Sequence, residues 1–387
     1  MHHTFIIVKI IPDSVLAFYC SSSSWGGLEM NKLRFASWMH ERGWRVKCFF
    51  VAGTPLFEEA KKSNLQIIPI QRNRKYFDIA NGMRLVRLFK MEQVRLVWSQ
   101  YSRDLSVLAW AKWLRPSQFR LLYQQNMQLG VAKRDVIHTI RYRKIDAWIS
   151  PLPFLAEEVK AKTKFPSHRL HTIPLAIEME KFIRHPLSRS EARKKLGIDE
   201  TRTWMGVVGR LDVLKGQHLA IEALAQLASS HSNLSLLLVG ESTRNEGNDY
   251  EMRLHKMAGE YGLKDRIIFL PFMKDVEIFY RAMDIFILAS EGETFGMVTI
   301  EAMACGCAVI GTQSSGTPEI LEHGKCGLLF EPGNSSQLAN CISRLMNDRV
   351  LMKEISLIAS EAAQEKFDHH RVCERIENEV IIPLLQL

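Results

Sequence analysis

The sequence predicts an α/β protein built as two doubly wound domains, each a parallel sheet with helices on both faces. Three observations predict it. Apolar runs of strand length alternate with segments of helical period through all 387 residues. The alternation breaks at "HTIPLAIEMEKFIRHP" (His171 to Pro186), which has prolines, mixed polarity and no clear period, and then starts again. Charge divides at the same place: residues 1–180 hold 28 Lys and Arg against 14 Asp and Glu, whereas the remainder holds 23 against 28. A chain of this length exceeds one simple core and suits two domains.

Each element follows in order. In the first half "FIIVKI" reads as the opening strand, with the residues after it as its extension. The loop "CSSSSWGG" leads into the helix "LEMNKLRFASWMHERG", closed by Gly43, which can take the left-handed conformation a helix end needs. "RVKCFFVA" and "LQIIPI" are strands, "YFDIANGMRLVRLFKMEQ" is a helix, and "VRLVWSQ", "FRLLYQQ" and "AWISPLP" are later strands of the same sheet. The second half gives the strands "TWMGVVG", "LSLLLVG", "RIIFLPF", "DIFILAS", "AVIGTQ" and "CGLLFEP". Between them lie the helices "QHLAIEALAQLASS", "YEMRLHKMAGEYG", "DVEIFYRAM" and "MVTIEAMACG", and "SQLANCISRLMND" follows. The tail "HHRVCERIENEVIIPLLQL" reads as a helix that packs back on the first half. The expected domains are therefore 1–175 joined by 368–387, a linker at 176–186, and 187–367.

Several classes are excluded. A hydrophobic content of 47% is ordinary for a folded chain, and no apolar run approaches the ~20 residues that span a bilayer. The N-terminus lacks a basic region and is broken by Lys9, Pro12 and Asp13, so a signal peptide is not expected. Seven cysteines without a CxxC pair fit small buried residues of a reducing cytosol, Cys305 and Cys307 included. The histidine pairs at 2–3 and 369–370 lack a ligand framework and are expected on the surface. No Asp-x-Asp is present, so a metal bridged by adjacent carboxylates is not expected, and neither Walker A nor GxSxG occurs.

Four loops at expected strand ends carry candidate chemistry. "GRLDVLKG" offers two cations, Arg210 and Lys215, between Gly209 and Gly216, which allow close backbone approach. A diphosphate needs such charge-assisted donors. "SEGETFGMVTIEAMACG" places Glu293 in a loop and Glu301 about one turn into a helix whose first free amides, at Gly296, Met297 and Val298, suit a phosphate. The two carboxylates suit hydroxyls instead, as a sugar and a ribose offer. "SSSSWGGLEMN" puts Gly26 and Gly27 between a strand and a helix, where their amides could reach the same phosphates across a cleft. "SSGTPEIL" reads as an ordinary turn, Glu319 apart.

Taken together these motifs resemble the retaining family 4 glycosyltransferases of GT-B fold, strongly from Gly209 to Glu319 and more weakly in the first half. The resemblance implies two Rossmann-like domains facing each other across a cleft. It implies metal-independent hexosyl transfer from a UDP- or GDP-sugar, a substrate rather than a cofactor. The acceptor would be a glycan or lipid-linked molecule, in cell-surface polysaccharide or glycolipid synthesis. It assigns Glu293 to the donor sugar, Glu301 to the ribose, and Arg210 and Lys215 to the diphosphate. Gly26, Gly27, Gly209, Phe295, Gly296, Met297 and Val298 would complete the donor site, and Phe272, in the "LPFMK" loop, would lie near the base.

One position departs from the family. Many members carry a histidine where this chain has Asn126, and an amide cannot act as a general base. Either the leaving phosphate takes the acceptor proton while Asn126 orients the sugar, or the chain is impaired or works with a partner. A non-catalytic nucleotide-sugar-binding subunit and a nucleotide-sugar epimerase are the alternatives. His138 is a second candidate base, although its place suits a helix surface. Trp25, beside the glycine loop, could line the acceptor cleft. Arg84, Arg87 and Lys90 form one basic face beside an apolar face of Ile79, Met83, Val86 and Phe89, which suits an anionic membrane surface. Nucleic acid is not expected, because no recognition module accompanies the charge. The expected location is cytoplasmic, peripheral on the inner face of the membrane.

Overall fold

The computed structural model describes residues 14–73, 78–242 and 248–386. The chain divides into two compact units, Met1–Pro174 with Val372–Leu387, and Leu175–Arg371. The first unit runs β1 (Val15–Cys20), α1 (Gly27–Glu41), β2 (Arg45–Val51), α2 (Pro55–Ala60), β3 (Gln66–Ile70), α3 (Ile79–Met91), β4 (Val94–Ser99), α4 (Leu105–Leu114), β5 (Arg120–Gln124), α5 (Val136–Tyr142), β6 (Ala147–Ser150), α6 (Pro153–Lys162) and β7 (Leu170–Thr172). Its strands are parallel, in the order β3-β2-β1-β4-β5-β6-β7. A parallel sheet is covered on both faces, so its central strands are continuously apolar. Every residue of β1, "VLAFYC", is 0% exposed.

The described sheet opens on the extension of the expected first strand. "FIIVKI" lies outside the described residues, and the described strand is the segment counted above only as an extension. Pro12 and Asp13 separate the two apolar runs. A strand that hands the chain directly to the glycine loop must end beside it, and only the second run does.

The second unit runs α7 (Met179–Ile183), α8 (Arg189–Leu196), β8 (Thr203–Val208), α9 (Gln217–Leu227), β9 (Leu234–Val239), α10 (Asp249–Glu260), β10 (Ile267–Leu270), α11 (Val276–Ala282), β11 (Ile285–Leu288), α12 (Met297–Ala304), β12 (Ala308–Thr312), α13 (Thr317–Ile320), β13 (Leu328–Phe330), α14 (Ser335–Asn347) and α15 (Arg349–Phe367). Its parallel sheet has the order β10-β9-β8-β11-β12-β13. Helix α8 lies in polar sequence with little period, yet it opens on a complete capping box, Ser188 with Glu191.

Much of the expected linker is ordered structure of the second unit. Ile177 bridges to Asp368, and Arg281 donates to the carbonyls of Phe182 and Ile183 at 3.2 and 3.0 Å. The tail is not one uniform helix. It comprises α16 (His369–Ile376), a π-helical turn at Glu377–Ile381 and α17 (Ile382–Gln386). Glu377 in that turn is 1% exposed and accepts from Arg42 Nε at 2.9 Å, Arg42 Nη2 at 2.7 Å and Trp44 Nε1 at 2.7 Å. A buried carboxylate is tolerable with three such donors, and they fasten the tail to the first unit.

Other expectations are also revised. His369 is buried rather than on the surface. Phe89 of α3 packs in the core with Leu85, leaving Ile79 and Met83 exposed beside Arg84, Arg87 and Lys90. The core-facing stripe of α3 is therefore Asn81, Gly82, Leu85 and Phe89. Among the described residues no helix is long and apolar enough to cross a membrane.

Candidate active site

Ligands of doubly wound sheets bind beyond the carboxyl ends of the strands, where the strand order reverses. In the second unit that reversal lies between β8 and β11. The loop after β8 is Gly209–Gly216, and the loop after β11 ends at Gly296, so both motifs leave the sheet at the reversal.

The two loops are joined by backbone and charge. Gly216 has φ +69°, and a Cβ there would stand 2.3 Å from the Ala289 carbonyl oxygen. Glu291 N donates to Leu214 O at 3.1 Å, and Lys215 Nζ meets Glu293 Oε2 at 2.7 Å. The loop after β12 joins them: Gly316 N donates to Glu293 O at 3.1 Å, and Ser314 Oγ to Glu291 O at 2.6 Å. From the other side, β9 hands over Gly240, where a Cβ would lie 1.9 Å from Gly209 O. Four strand ends thus converge on one point.

Within this frame Arg210 is half exposed and pairs with Asp212 Oδ2 at 2.8 Å. Asp212 also caps the turn before Lys215 by accepting from Leu214 N at 2.9 Å. Gln217 Nε2 holds Arg210 O at 2.9 Å. Gly296, with φ +77°, is the N-cap of α12 and carries no side-chain cap, which leaves Met297 and Val298 to open the helix.

Glu301 is buried at 7% exposure and accepts from the Tyr280 hydroxyl at 2.9 Å. Burial raises the Tyr280 hydroxyl well above its ordinary range, and the Glu301 charge adds to this, so Tyr280 remains a donor. The ring of Phe295 is 4% exposed and stands edge-on to Phe367 at 5.9 Å, so that residue presents backbone, not an aromatic face, to the loop. Phe272 is 70% exposed, and its amide donates to Glu241 Oε1 at 3.3 Å. Cys305 and Cys307 are buried and donate to the carbonyls of Phe182 and Tyr280, as packed thiols do.

The first unit has its own reversal, between β1 and β4. Gly26 is the N-cap of α1, and a Cβ on Gly27 would meet nothing within 4 Å. Beneath this loop is a buried polar network centred on Asp104, at the start of α4. Asp104 accepts from Ser21 N at 3.1 Å, from Ser21 Oγ, and from Asn73 Nδ2 at 2.9 Å. Lys32 is 0% exposed and donates to Tyr19 O at 3.0 Å. Asn126 follows β5; its Nδ2 donates to Gln124 O at 3.3 Å, while its buried Oδ1 has no hydrogen-bond donor among the described residues. His138 is tied to Asp135, which accepts from both its backbone N and its Nδ1.

Burial lifts Asp104 from an ordinary 3.8 to about 6, against the hydrogen bonds of Ser21 and Asn73 and the charge of Lys32. A raised acid holds its proton more tightly folded than unfolded. Its stabilising contribution is complete below about pH 4 and is lost as pH rises through about 6. Between those limits the wild type should lose roughly 3 kcal/mol relative to Asp104→Asn. Denaturant titrations of both proteins at each end of the window test this, and parallel curves would exclude it.

Asp104, Lys32, Gly240 and Tyr280 were not singled out in the sequence. For Gly240 a signal existed, since it is the last residue of the expected strand "LSLLLVG", and Asp104 lies four residues beyond the expected strand "VRLVWSQ". For Tyr280 there was none.

A family model described as Glycosyltransferase Family 4 matches residues 25–181, and one described as Glycosyl transferases group 1 matches residues 188–365. A D-inositol 3-phosphate glycosyltransferase of Acidothermus cellulolyticus is 32% identical over 185 residues, 46% of this chain and 41% of that protein. The chain thus spans less than half the length of that relative. An N-acetyl-alpha-D-glucosaminyl L-malate synthase of Bacillus anthracis is 24% identical over 322 residues, 83% of this chain and 75% of that protein. The crystal structure of Anabaena HepE in complex with UDP shares the fold, with a TM-score of 0.83 over 95% of this chain and 100% of that one, at 22% identity. With one model on each half, the chain belongs to glycosyltransferase family 4 and carries a glycosyl transferases group 1 domain as its second half.

Proposed function

We propose that the chain transfers a hexose from a nucleoside diphosphate sugar to a glycan or lipid-linked acceptor with retained configuration, in cell-surface polysaccharide or glycolipid synthesis. The observation that carries this is the 2.7 Å contact of Lys215 with Glu293 at the strand reversal. It brings a cation that suits a phosphate and a carboxylate that suits hydroxyls within one sugar's reach of each other. The UDP complex of the Anabaena relative supports a uridine donor over a guanosine one.

In this reading the donor separates the pair. Lys215 and Arg210 take the diphosphate, together with the amides opening α12, and Glu293 takes the sugar hydroxyls. These fixed charges stabilise the leaving diphosphate, work a divalent metal does elsewhere. Glu301, held from behind by Tyr280, accepts from the ribose. The leaving phosphate takes the acceptor proton, so no base is required at Asn126.

Calorimetry with UDP and GDP tests the roles. Glu301→Gln keeps an acceptor for Tyr280, so the fold should hold while nucleoside diphosphate affinity falls about tenfold or more. Glu293→Gln should leave that affinity within about threefold and lower turnover instead. Wild-type binding by both variants would refute the assignment.

A further inference from the structure

Helix α4, "LSVLAWAKWL", is apolar nearly all the way round. Such a helix is normally covered on every side. Its inner face is covered, with Leu105, Leu108 and Ala111 in the core of the first unit. Its outer face is open. Trp110 and Trp113 line a groove with Ile137 and Ile140 of α5, edged by Arg141 and Lys144. Trp113, Ile137 and Ile140 are 58%, 58% and 56% exposed. The two indoles meet edge to face at 5.6 Å and form one rigid block. On the α3 side, a Cβ on Gly82 would lie 3.4 Å from that of Trp110, and the residues flanking Gly82 include the exposed Met83.

We infer that this α4–α5 groove is a docking surface for an anionic lipid bilayer. The charge around it identifies the occupant. Arg141 and Lys144 stand on its edge, with the exposed Arg143 between them in sequence, and the whole segment 127–144 holds five cations, Lys133 and Arg134 included, against one acid, Asp135. That acid is engaged in capping α5 and binding His138 Nδ1 at 2.6 Å. Indoles and isoleucines bordered by cations match the two layers of a bilayer interface, acyl chains below and lipid phosphates above. A second copy of the chain fits poorly, because a symmetric pair would set the edge cations Arg141 and Lys144 against their own copies. The surface lies on different helices from the loops that hold Lys215 and Glu293, so docking does not depend on the proposed transfer reaction. It adds to the exposed cations of α3, Arg84, Arg87 and Lys90.

Sedimentation of the full chain with vesicles tests the inference without any donor present. Wild type should pellet with vesicles of phosphatidylglycerol and phosphatidylcholine, remain in solution with phosphatidylcholine alone, and be released by salt. Trp113→Glu with Ile140→Glu should reduce partitioning at least about tenfold. Arg143→Glu with Lys144→Glu, which leaves the apolar residues in place, should reduce it to a similar extent. Circular dichroism and melting establish that each variant is folded, as substitutions at these open positions should allow. Wild type that ignores anionic vesicles, or variants that bind like wild type, would overturn the inference. So would a dimer in sedimentation velocity that Trp113→Glu dissolves, since a second copy would then be what covers the groove.

Discussion

Lys215→Ala should lower turnover by about 10²- to 10³-fold, the usual cost of removing one preorganised donor from developing negative charge. The ion pair with Glu293 makes this more than the loss of a cation. Lys215 is about one-third exposed and Glu293 about one-fifth, so the pair itself adds little to stability. Alanine leaves Glu293 without its counter-ion beside the site proposed for the diphosphate, and the two negative charges then repel. Donor affinity should fall as well. Adding Glu293→Gln to Lys215→Ala removes the repulsion, so the double variant should bind nucleoside diphosphate more tightly than Lys215→Ala alone. Steady-state kinetics and calorimetry on the four proteins of this cycle decide the matter. Turnover within about threefold of wild type would reduce Lys215 to a surface partner of Glu293.

The sequence made the layered architecture readable because parallel strands buried on both faces must be apolar throughout, and their helices must keep an amphipathic period. It also located the loops after β8 and β11, since both follow such strands directly. What it did not show depends on contacts far apart in the chain. The Lys215–Glu293 pair joins residues 78 positions apart. Tyr280 lies in a helix where an aromatic residue is unremarkable, and only packing against α12 turns its hydroxyl toward Glu301. Asp104 resembles any polar residue opening a helix until the strand order sets it beside Ser21. β1 was read only as the extension of an opening strand because two apolar runs adjoin, and composition alone does not divide them. On α3 the sequence showed a stripe but not its phase: Gly82, a poor helix former, is on the buried side, where an added Cβ would already touch that of Trp110 at 3.4 Å.

Gly240→Ala and Gly209→Ala should fail in opposite ways. At Gly240, φ is +154°, and a Cβ would stand 1.9 Å from Gly209 O and 2.9 Å from Gly209 C. Both obstacles are backbone, held by the Gly209 N to Val239 O bond at 3.0 Å and the Gly240 N to Leu270 O bond at 3.0 Å, so no rotamer can relieve the overlap. Strain and overpacking together should cost roughly 3–6 kcal/mol, a melting drop of about 10–20 °C for a unit this size. At Gly209, φ is +144°, but a Cβ would meet nothing within 4 Å. Backbone strain of about 1–3 kcal/mol is then the whole structural penalty. The added methyl instead enters the open space beside Arg210, where the proposed diphosphate must approach the backbone. Gly209→Ala should therefore melt closer to wild type and lose nucleoside diphosphate affinity, whereas Gly240→Ala should lose the fold of the second unit first. Equal melting of the two variants would show that the β8–β9 crossing yields more easily than its geometry implies. Undiminished affinity in Gly209→Ala would place the phosphates elsewhere than over this glycine.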